Sequence, residues 1–314
     1  MQMSDRIGRR IKLQDVHILM AVVQAGSMGK AARHLNTSQP NISKSIADLE
    51  RALGVRLLDR HRQGIEPTEY GRALLDGGVA VFDELRQTVK NIEFLSDPAA
   101  GEIRIGCNPS LAGSFASAVV DRLSRRYPRI LFHLMTGYAE SLHHELCERN
   151  VDLLIARRFG SIIDERLDFE FLFNDSCVVA AGAQSPWARR RKITLADLIN
   201  EPWVLPPRGS GTIGSFATEA FGAAGLDYPP TTVVTDSAEA RVSLLATGRF
   251  LTIFHASRFP TQSLDHLSVL PIELSMTRVP VGIVILKNRT LSPVARLFIE
   301  TAREVAKPLA KRKG

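Results

Sequence analysis

Cysteine is scarce in this 314-residue chain, occurring only at Cys107, Cys147 and Cys177. An odd number at wide spacing fits buried or free thiols in a reducing compartment better than a disulfide framework. Long apolar runs are missing, so nothing is expected to span a bilayer. The N-terminal MQMSDRIGRRIKLQDVHILM has basic residues without the apolar core of a signal peptide, so a cytoplasmic location is expected. Between Glu102 and Leu286 the only lysine is Lys192. That counts against an enzyme using pyridoxal phosphate, even though Gly209-Ser210-Gly211-Thr212 could pass for a phosphate cup. Such chemistry needs a lysine for the Schiff base, and Lys192 sits in the basic run WARRRK. No GxSxG elbow, HExxH helix or P-loop occurs. His143 and Cys147 have the i, i+4 spacing of a metal pair on a predicted helix, but no second pair completes a site, and they read as solvated or packed side chains. No catalytic residue, metal or cofactor is expected.

What is present is an ordinary globular composition, 45% hydrophobic, with a formal charge of +7 that suits a polyanionic partner. Its placement matters more than its size. Between Lys30 and Arg62, seven basic residues face three acidic ones, leaving +4 in one short stretch.

That stretch reads as two short helices joined by a polar turn. In the second, Ile42, Ile46, Leu49 and Leu53 fall within one arc at 100° per residue, and Pro40, Ser43, Lys44, Ala47 and Arg51 lie opposite. Ser38 is a candidate N-cap, and Pro40 sits in the first turn, where its missing N–H costs nothing. A helix buried on one face, with small polar and cationic side chains on the other, suits a DNA major groove. Two short extended runs around Gln63-Gly64, with Arg56, Arg60 and Arg62, make a candidate hairpin wing. The plainer alternative is two amphipathic helices of a bundle.

The run AARHLNTSQPNISKSIADLERALGVRLLDR, followed by PTEYG, resembles the N-terminal winged helix-turn-helix of the LysR-type transcriptional regulators. The resemblance implies a multidomain chain. It would hold an all-α winged helix-turn-helix domain at residues 12–71, a linker and dimerisation helix at 68–96, a hinge at 97–101, and an α/β two-lobed periplasmic-binding-protein-like effector domain at 102–307. Lobe I would comprise about 102–172 and 278–307, and lobe II about 173–277. Thr37, Ser38, Gln39, Pro40, Ser43, Lys44, Arg60 and Arg62 become the expected DNA contacts. Gln39 and Ser43 would reach base edges, and the arginines the backbone or minor groove.

In chain order, Leu13 to Ala25 is expected as a helix with Val16, Leu19, Met20 and Val23 as its buried stripe. A long helix follows from Thr68 to about Leu95. Phe82, Leu85, Val89 and Ile92 step along it like a coiled-coil seam, extended backwards by Leu75 and Gly78. Gly77-Gly78 marks a close approach or a bend. Beyond the hinge, short apolar runs alternate with helical ones in a β-α-β-α-β rhythm, and Phe169–Ala181 is long enough to pass from one lobe into a second.

Ligands of such domains sit near strand C-termini and helix N-termini. Two loops qualify, Asn108-Pro109-Ser110-Leu111 and Arg208-Gly209-Ser210-Gly211-Thr212, and both could present N–H groups and hydroxyls to an anion. Arg157 could add a counter-charge. The effector-binding set is therefore Asn108, Pro109, Ser110, Leu111, Arg157, Gly209, Ser210, Gly211 and Thr212. Helix capping by Ser110 and Thr212 is the alternative. EFLSDPAAGEIRIGC and LSRRYPRILFHL resemble regulators of sugar uptake or aromatic-acid breakdown, which points to an organic acid or sugar-derived metabolite. The partners expected are promoter DNA, such an effector, further copies of the chain as dimer or tetramer, and RNA polymerase, with no membrane. A solute-binding protein would share the lobes but lack the basic helix pair; a regulator working without a ligand would share the N-terminal half.

Overall fold

The computed structural model describes residues 8, 10–61, 64–158, 164–259, 265–272, 274 and 278–311. Contacts divide the chain into two units, Met1–Val89 and Lys90–Gly314.

The first unit opens with helix α1 (Leu13–Ala25), which ends at Gly26 in the left-handed conformation. Helix α2 (Met28–His34) starts where the Ser27 side chain accepts from the Lys30 amide. After a turn in which Asn36 takes a positive φ of 49°, helix α3 (Gln39–Leu53) begins with Ser38 accepting from the Asn41 amide. Ile42, Ile46 and Leu49 are buried against Leu19, Val22, Met28 and Ala31. The buried face of α1 differs from the expected stripe: Val16 and Leu19 are buried, but Ile18, Ala21 and Val22 replace Met20 and Val23. Helices α2 and α3 both contact α1, so the covered arc is wider than one stripe.

Strands β1 (Leu58–His61) and β2 (Gly64–Pro67) pair as an antiparallel hairpin, His61 opposite Gly64. Glu50 Oε1 accepts from the Leu57 and Leu58 amides and so ties the hairpin to α3. The PTEYG run now has a physical reading. Thr68 Oγ1 accepts from the Gly71 amide and donates to the Arg56 carbonyl. A Cβ on Gly71 would lie 2.1 Å from the Leu57 carbonyl oxygen, so no other residue fits.

Helix α4 (Glu69–Ser96) runs from the first unit into the second. Gly78 lets α1 approach closely, since a Cβ there would lie 2.8 Å from Val16 Cγ1, while Gly77 has open space. The expected seam splits. Leu75 packs into the core of the first unit, Gly78 lies beneath Val16, and Phe82 meets His17 at 5.6 Å between ring centroids. Leu85, Val89 and Ile92 stay exposed, joined by Val81 and Leu95. α1 thus covers the N-terminal half of that face and leaves the C-terminal half open. At its end, Phe94 packs on the second unit's core and Lys90 Nζ reaches Glu102 at 3.3 Å. The turn that follows is pinned, because Arg129 donates to Asp97 at 2.7 Å; Ala100 and Gly101 already belong to the next strand.

The second unit holds two five-stranded sheets. Its elements are β3 (Ala100–Cys107), α5 (Pro109–Leu111), a π-turn (Ala112–Ala116), α6 (Ser117–Arg126), β4 (Arg129–Thr136), α7 (Ala139–Cys147), β5 (Leu153–Arg157), β6 (Leu167–Asp175), β7 (Cys177–Gly182), β8 (Trp203–Leu205), α8 (Gly211–Ala223), β9 (Thr231–Val234), α9 (Ala238–Ala246), β10 (Leu251–His255), β11 (Leu267–Val269), β12 (Val279–Leu286) and α10 (Pro293–Lys311). The first sheet has the order β4-β3-β5-β12-β6 and the second β11-β7-β10-β8-β9. Pairing makes β3, β4, β5 and β6 parallel, with β12 antiparallel between β5 and β6. In the second sheet β8, β9 and β10 are parallel and β7 runs against β10.

The apolar run Phe169–Ala181 does pass between lobes. β6 ends at Asp175 in one sheet, β7 begins at Cys177 in the other, and Ser176 alone intervenes. The carboxyl edges of both sheets therefore meet at this crossing. Loops at that edge are where open α/β sheets hold ligands.

Candidate functional site

In the helix-turn-helix, burial of Ile42, Ile46 and Leu49 turns the opposite face of α3 outwards. Thr37, Ser38, Gln39, Pro40, Lys44 and Arg51 are exposed, and so is Arg60 on the hairpin. Ser43 is half-buried, its hydroxyl donating to Met28 Sδ at 3.2 Å; it is held against α2 and faces outward less than the helical wheel suggests. Asn41, which the sequence reading passed over, donates to Thr37 Oγ1 at 3.3 Å. It lines an open groove along α3 together with Lys12, Thr37, Lys44 and Arg51. Arg62 lies outside the described residues.

At the carboxyl edge of the first sheet, Asn108 caps α5. Its Oδ1 accepts from the Leu111 amide at 3.0 Å, from Ser110 Oγ at 3.1 Å and from Arg157 Nη1 at 3.2 Å. Capping therefore falls to Asn108, whose side chain is already positioned by the strand end, and Ser110 Oγ instead accepts from Arg157 at 2.8 Å. Leu111 is fully buried and Pro109 is exposed. A π-turn directly after this loop, Ala112–Ala116, places Phe115 and Ala116 in the core; such irregularities recur at functional sites.

Arg157 is no free counter-charge. Its side chain is 2% exposed, and Nε and Nη2 donate to Asp175 Oδ2 at 3.1 and 2.7 Å. Burial pulls its pKa down and Asp175 opposes that shift. Asp175 reaches across the crossing as well, accepting from the Ser257 amide at 3.0 Å and hydroxyl at 2.7 Å. His255 Nδ1 lies 3.8 Å from the same carboxylate and 3.6 Å from Cys177 Sγ. Burial, with Arg157 and Arg241 adding to it, drives the His255 pKa well below its ordinary value, so it is neutral. Sequence reasoning missed Asp175, His255 and Ser257. The available signal was Asn174-Asp175-Ser176, a polar break in an otherwise apolar run.

The second loop behaves differently. Gly209 and Gly211 adopt positive φ, 72° and 55°. A Cβ on Gly214 would come within 2.4 Å of the Pro207 carbonyl, so the loop folds back tightly on α8. Ser210 occupies the N-cap position without a side-chain cap bond, and among the described residues neither its hydroxyl nor that of Thr212 is hydrogen-bonded. The first-turn amides of α8 thus lack a capping side chain. Arg208 stacks on Tyr228 at 5.3 Å.

Two family descriptions match the chain: "Bacterial regulatory helix-turn-helix protein, lysR family" over residues 13–72 and "LysR substrate binding domain" over residues 96–307. The chain belongs to the LysR family of transcriptional regulators. Curated relatives agree. The chain is 28% identical over 301 residues to the HTH-type transcriptional regulator GbpR of Azospirillum brasilense, covering 94% of this chain and 86% of that one. It is 26% identical over 294 residues to the HTH-type transcriptional regulator TdcA of Escherichia coli (strain K12), covering 93% of each. The fold matches that of full-length CbnR complexed with its target DNA, with a TM-score of 0.62 at 21% identity over 94% of this chain and 100% of that one. This LysR-type regulator is thus a DNA-binding protein with an effector domain, and not an enzyme. Among its described residues no helix is long and apolar enough to cross a membrane.

One expectation needs correction. The pair His143 and Cys147 is not isolated, because the fold brings Asp164 to it, with His143 Nε2 2.8 Å from Asp164 Oδ2. The third group comes from outside the helix, where spacing rules do not reach.

Proposed function

We infer that this LysR-type regulator reads promoter DNA through the exposed face of α3 and is controlled by an anionic metabolite held at the carboxyl edges of its two sheets. The first part is carried by the contrast between the buried Ile42, Ile46 and Leu49 and the exposed Gln39, Pro40 and Lys44. Gln39 and Pro40 open the helix, where a recognition helix meets base edges. Lys44 and Arg60 supply phosphate affinity, and Thr37 with Asn41 supplies polar contacts near the helix start. Ser43 orients α3 through Met28, adding to any base contact it makes.

For the effector, the uncapped first turn of α8, with the free hydroxyls of Ser210 and Thr212, offers donors to a carboxylate or similar anion. Asn108 and Ser110 form the wall contributed by the first lobe, and the buried Leu111 anchors it from the core. Arg157 shapes that wall from behind, by holding Asn108 and Ser110. An organic acid or acidic sugar derivative fits these donors. The exposed stripe Val81, Leu85, Val89, Ile92 and Leu95 supports pairing of α4 with a second copy.

A nuclease footprint on DNA flanking the gene tests the reading. Protection of a discrete site, altered by a carboxylate metabolite that also raises the melting temperature, is expected. Retention no stronger than on random DNA would overturn the DNA reading, and indifference to every organic acid tried would overturn the anionic effector.

A further inference from the structure

We propose that His143, Cys147 and Asp164 form a binding site for a zinc-type transition-metal cation at the amino edge of the first sheet. His143 and Cys147 lie one turn apart on α7, so their side chains share a face. Asp164 stands three residues before β6. His143 Nε2 is 2.8 Å from Asp164 Oδ2, and Cys147 Sγ is 3.8 and 3.9 Å from the two ring nitrogens of His143. The three donor atoms all lie within 4.8 Å of one another. Ordinary bond lengths around a tetrahedral zinc separate nitrogen and oxygen ligands by ~3.4 Å and sulfur and nitrogen by ~3.6 Å. The nitrogen–oxygen pair would therefore open by about 0.6 Å and the sulfur–nitrogen pair close by about 0.2–0.3 Å.

The chemistry of the set is selective. A thiol, an imidazole and one carboxylate suit zinc or cobalt and are poor ligands for magnesium or calcium, which favour oxygen. All three residues are half-buried, so an ion can enter from solvent. The Asp164 carboxylate is already oriented: Arg166 donates to it from its amide at 2.9 Å, from Nε at 3.0 Å and from Nη2 at 2.8 Å. Arg166 is thus a positioning residue behind the ligand. Binding would release the Cys147 thiol proton, and any proton on the liganding His143 nitrogen, to solvent while a water fills the fourth position. Burial raises the pKa of all three thiols, but Cys107 and Cys177 are fully enclosed while Cys147 is half-buried and within reach of an ion from solvent.

The location is separate from the effector cleft. α7 leaves the carboxyl end of β4 and reaches Cys147 just before β5 begins, while Asp164 precedes β6. The cluster therefore lies at the amino edge, and the Arg157–Asp175 pair at the carboxyl edge. A bound ion would clip α7 to the start of β6, the strand that ends in Asp175.

The test uses the full chain, stripped with a chelator, reloaded with zinc and desalted. One zinc per chain, protection of Cys147 from alkylation as located by mass spectrometry, and a higher melting temperature with zinc but not magnesium are expected. Cobalt should give a thiolate charge-transfer absorption that Cys147→Ser abolishes. Asp164→Asn should lose the zinc, and Arg166→Ala should weaken binding roughly tenfold or more. Cys147 alkylated equally fast with and without zinc, or cobalt absorption surviving in Cys147→Ser, would overturn the proposal. The alkylation measurement on the unaltered chain stands even if a variant fails to fold.

Discussion

Arg157 and Asp175 join where the two sheets meet: Nε and Nη2 of the arginine share a single carboxylate oxygen, at 3.1 and 2.7 Å, and both side chains are buried. Asp175 also holds Ser257 of the second lobe, while Arg157 holds Asn108 and Ser110 of the first. The pair is therefore the polar pin on which the candidate effector loop and the crossing between lobes both depend.

Removing one member leaves a buried charge without its partner. Asp175→Ala should destabilise the effector domain by about 3–5 kcal/mol, whereas a well-packed apolar double replacement of both residues should recover much of that loss. Trp187 and Trp203 are the only tryptophans and both lie in the second lobe, so their fluorescence in urea follows this domain selectively.

The acid stability of the same region should depend on His255. Its folded pKa is depressed by burial and by Arg157 and Arg241, so the folded chain resists the proton that the unfolded chain accepts below about pH 6.5. The stabilisation is complete above that pH and falls as pH drops, with a slope approaching about 1.4 kcal/mol per pH unit. Replacing His255 with Gln should flatten that part of the slope in urea midpoints measured between about pH 7 and about pH 5.

Two adjacent glycines should respond in opposite senses. Gly77→Ala meets open space in an exposed helix and should stabilise by about 0.5–1 kcal/mol. Gly78→Leu would drive a side chain into Val16 and should cost about 1–3 kcal/mol. Amide hydrogen exchange in α1 and α4 separates the two outcomes.

On DNA, Gln39→Ala should cost about 1–3 kcal/mol of discrimination between the specific site and its variants. Arg60→Ala should weaken all sequences alike and reduce the salt slope by about one. Filter binding to specific and random duplexes over a salt series distinguishes them, and equal losses for both variants would erase the division of roles.

Much of this was legible in the sequence because the signals are local. Ser38 before Pro40 and the Ile42-Ile46-Leu49 arc determine a helix start and a helix face within a turn or two of themselves. Phe169–Ala181 marks the crossing because an apolar run of that length exceeds one short strand. Less legible was anything set by two distant segments. The spacing on α4 predicts one stripe, yet the first unit takes Leu75, Gly78 and Phe82 and leaves Leu85, Val89 and Ile92 outside.

The sequence by itself determined the order of domains, the helix-turn-helix with the exposed face of its second helix, and the family, since periodicity, capping and a dense motif act over neighbouring residues. Only the tertiary structure decided that Arg157 answers to Asp175, that Asn108 and not Ser110 caps its helix, and that Asp164 comes to His143 and Cys147. The partners concerned stand 18 to 49 residues apart in the chain, Arg157 drawing on both Asp175 and Asn108 and His143 on Asp164, and a buried polar group takes whichever partner the fold delivers.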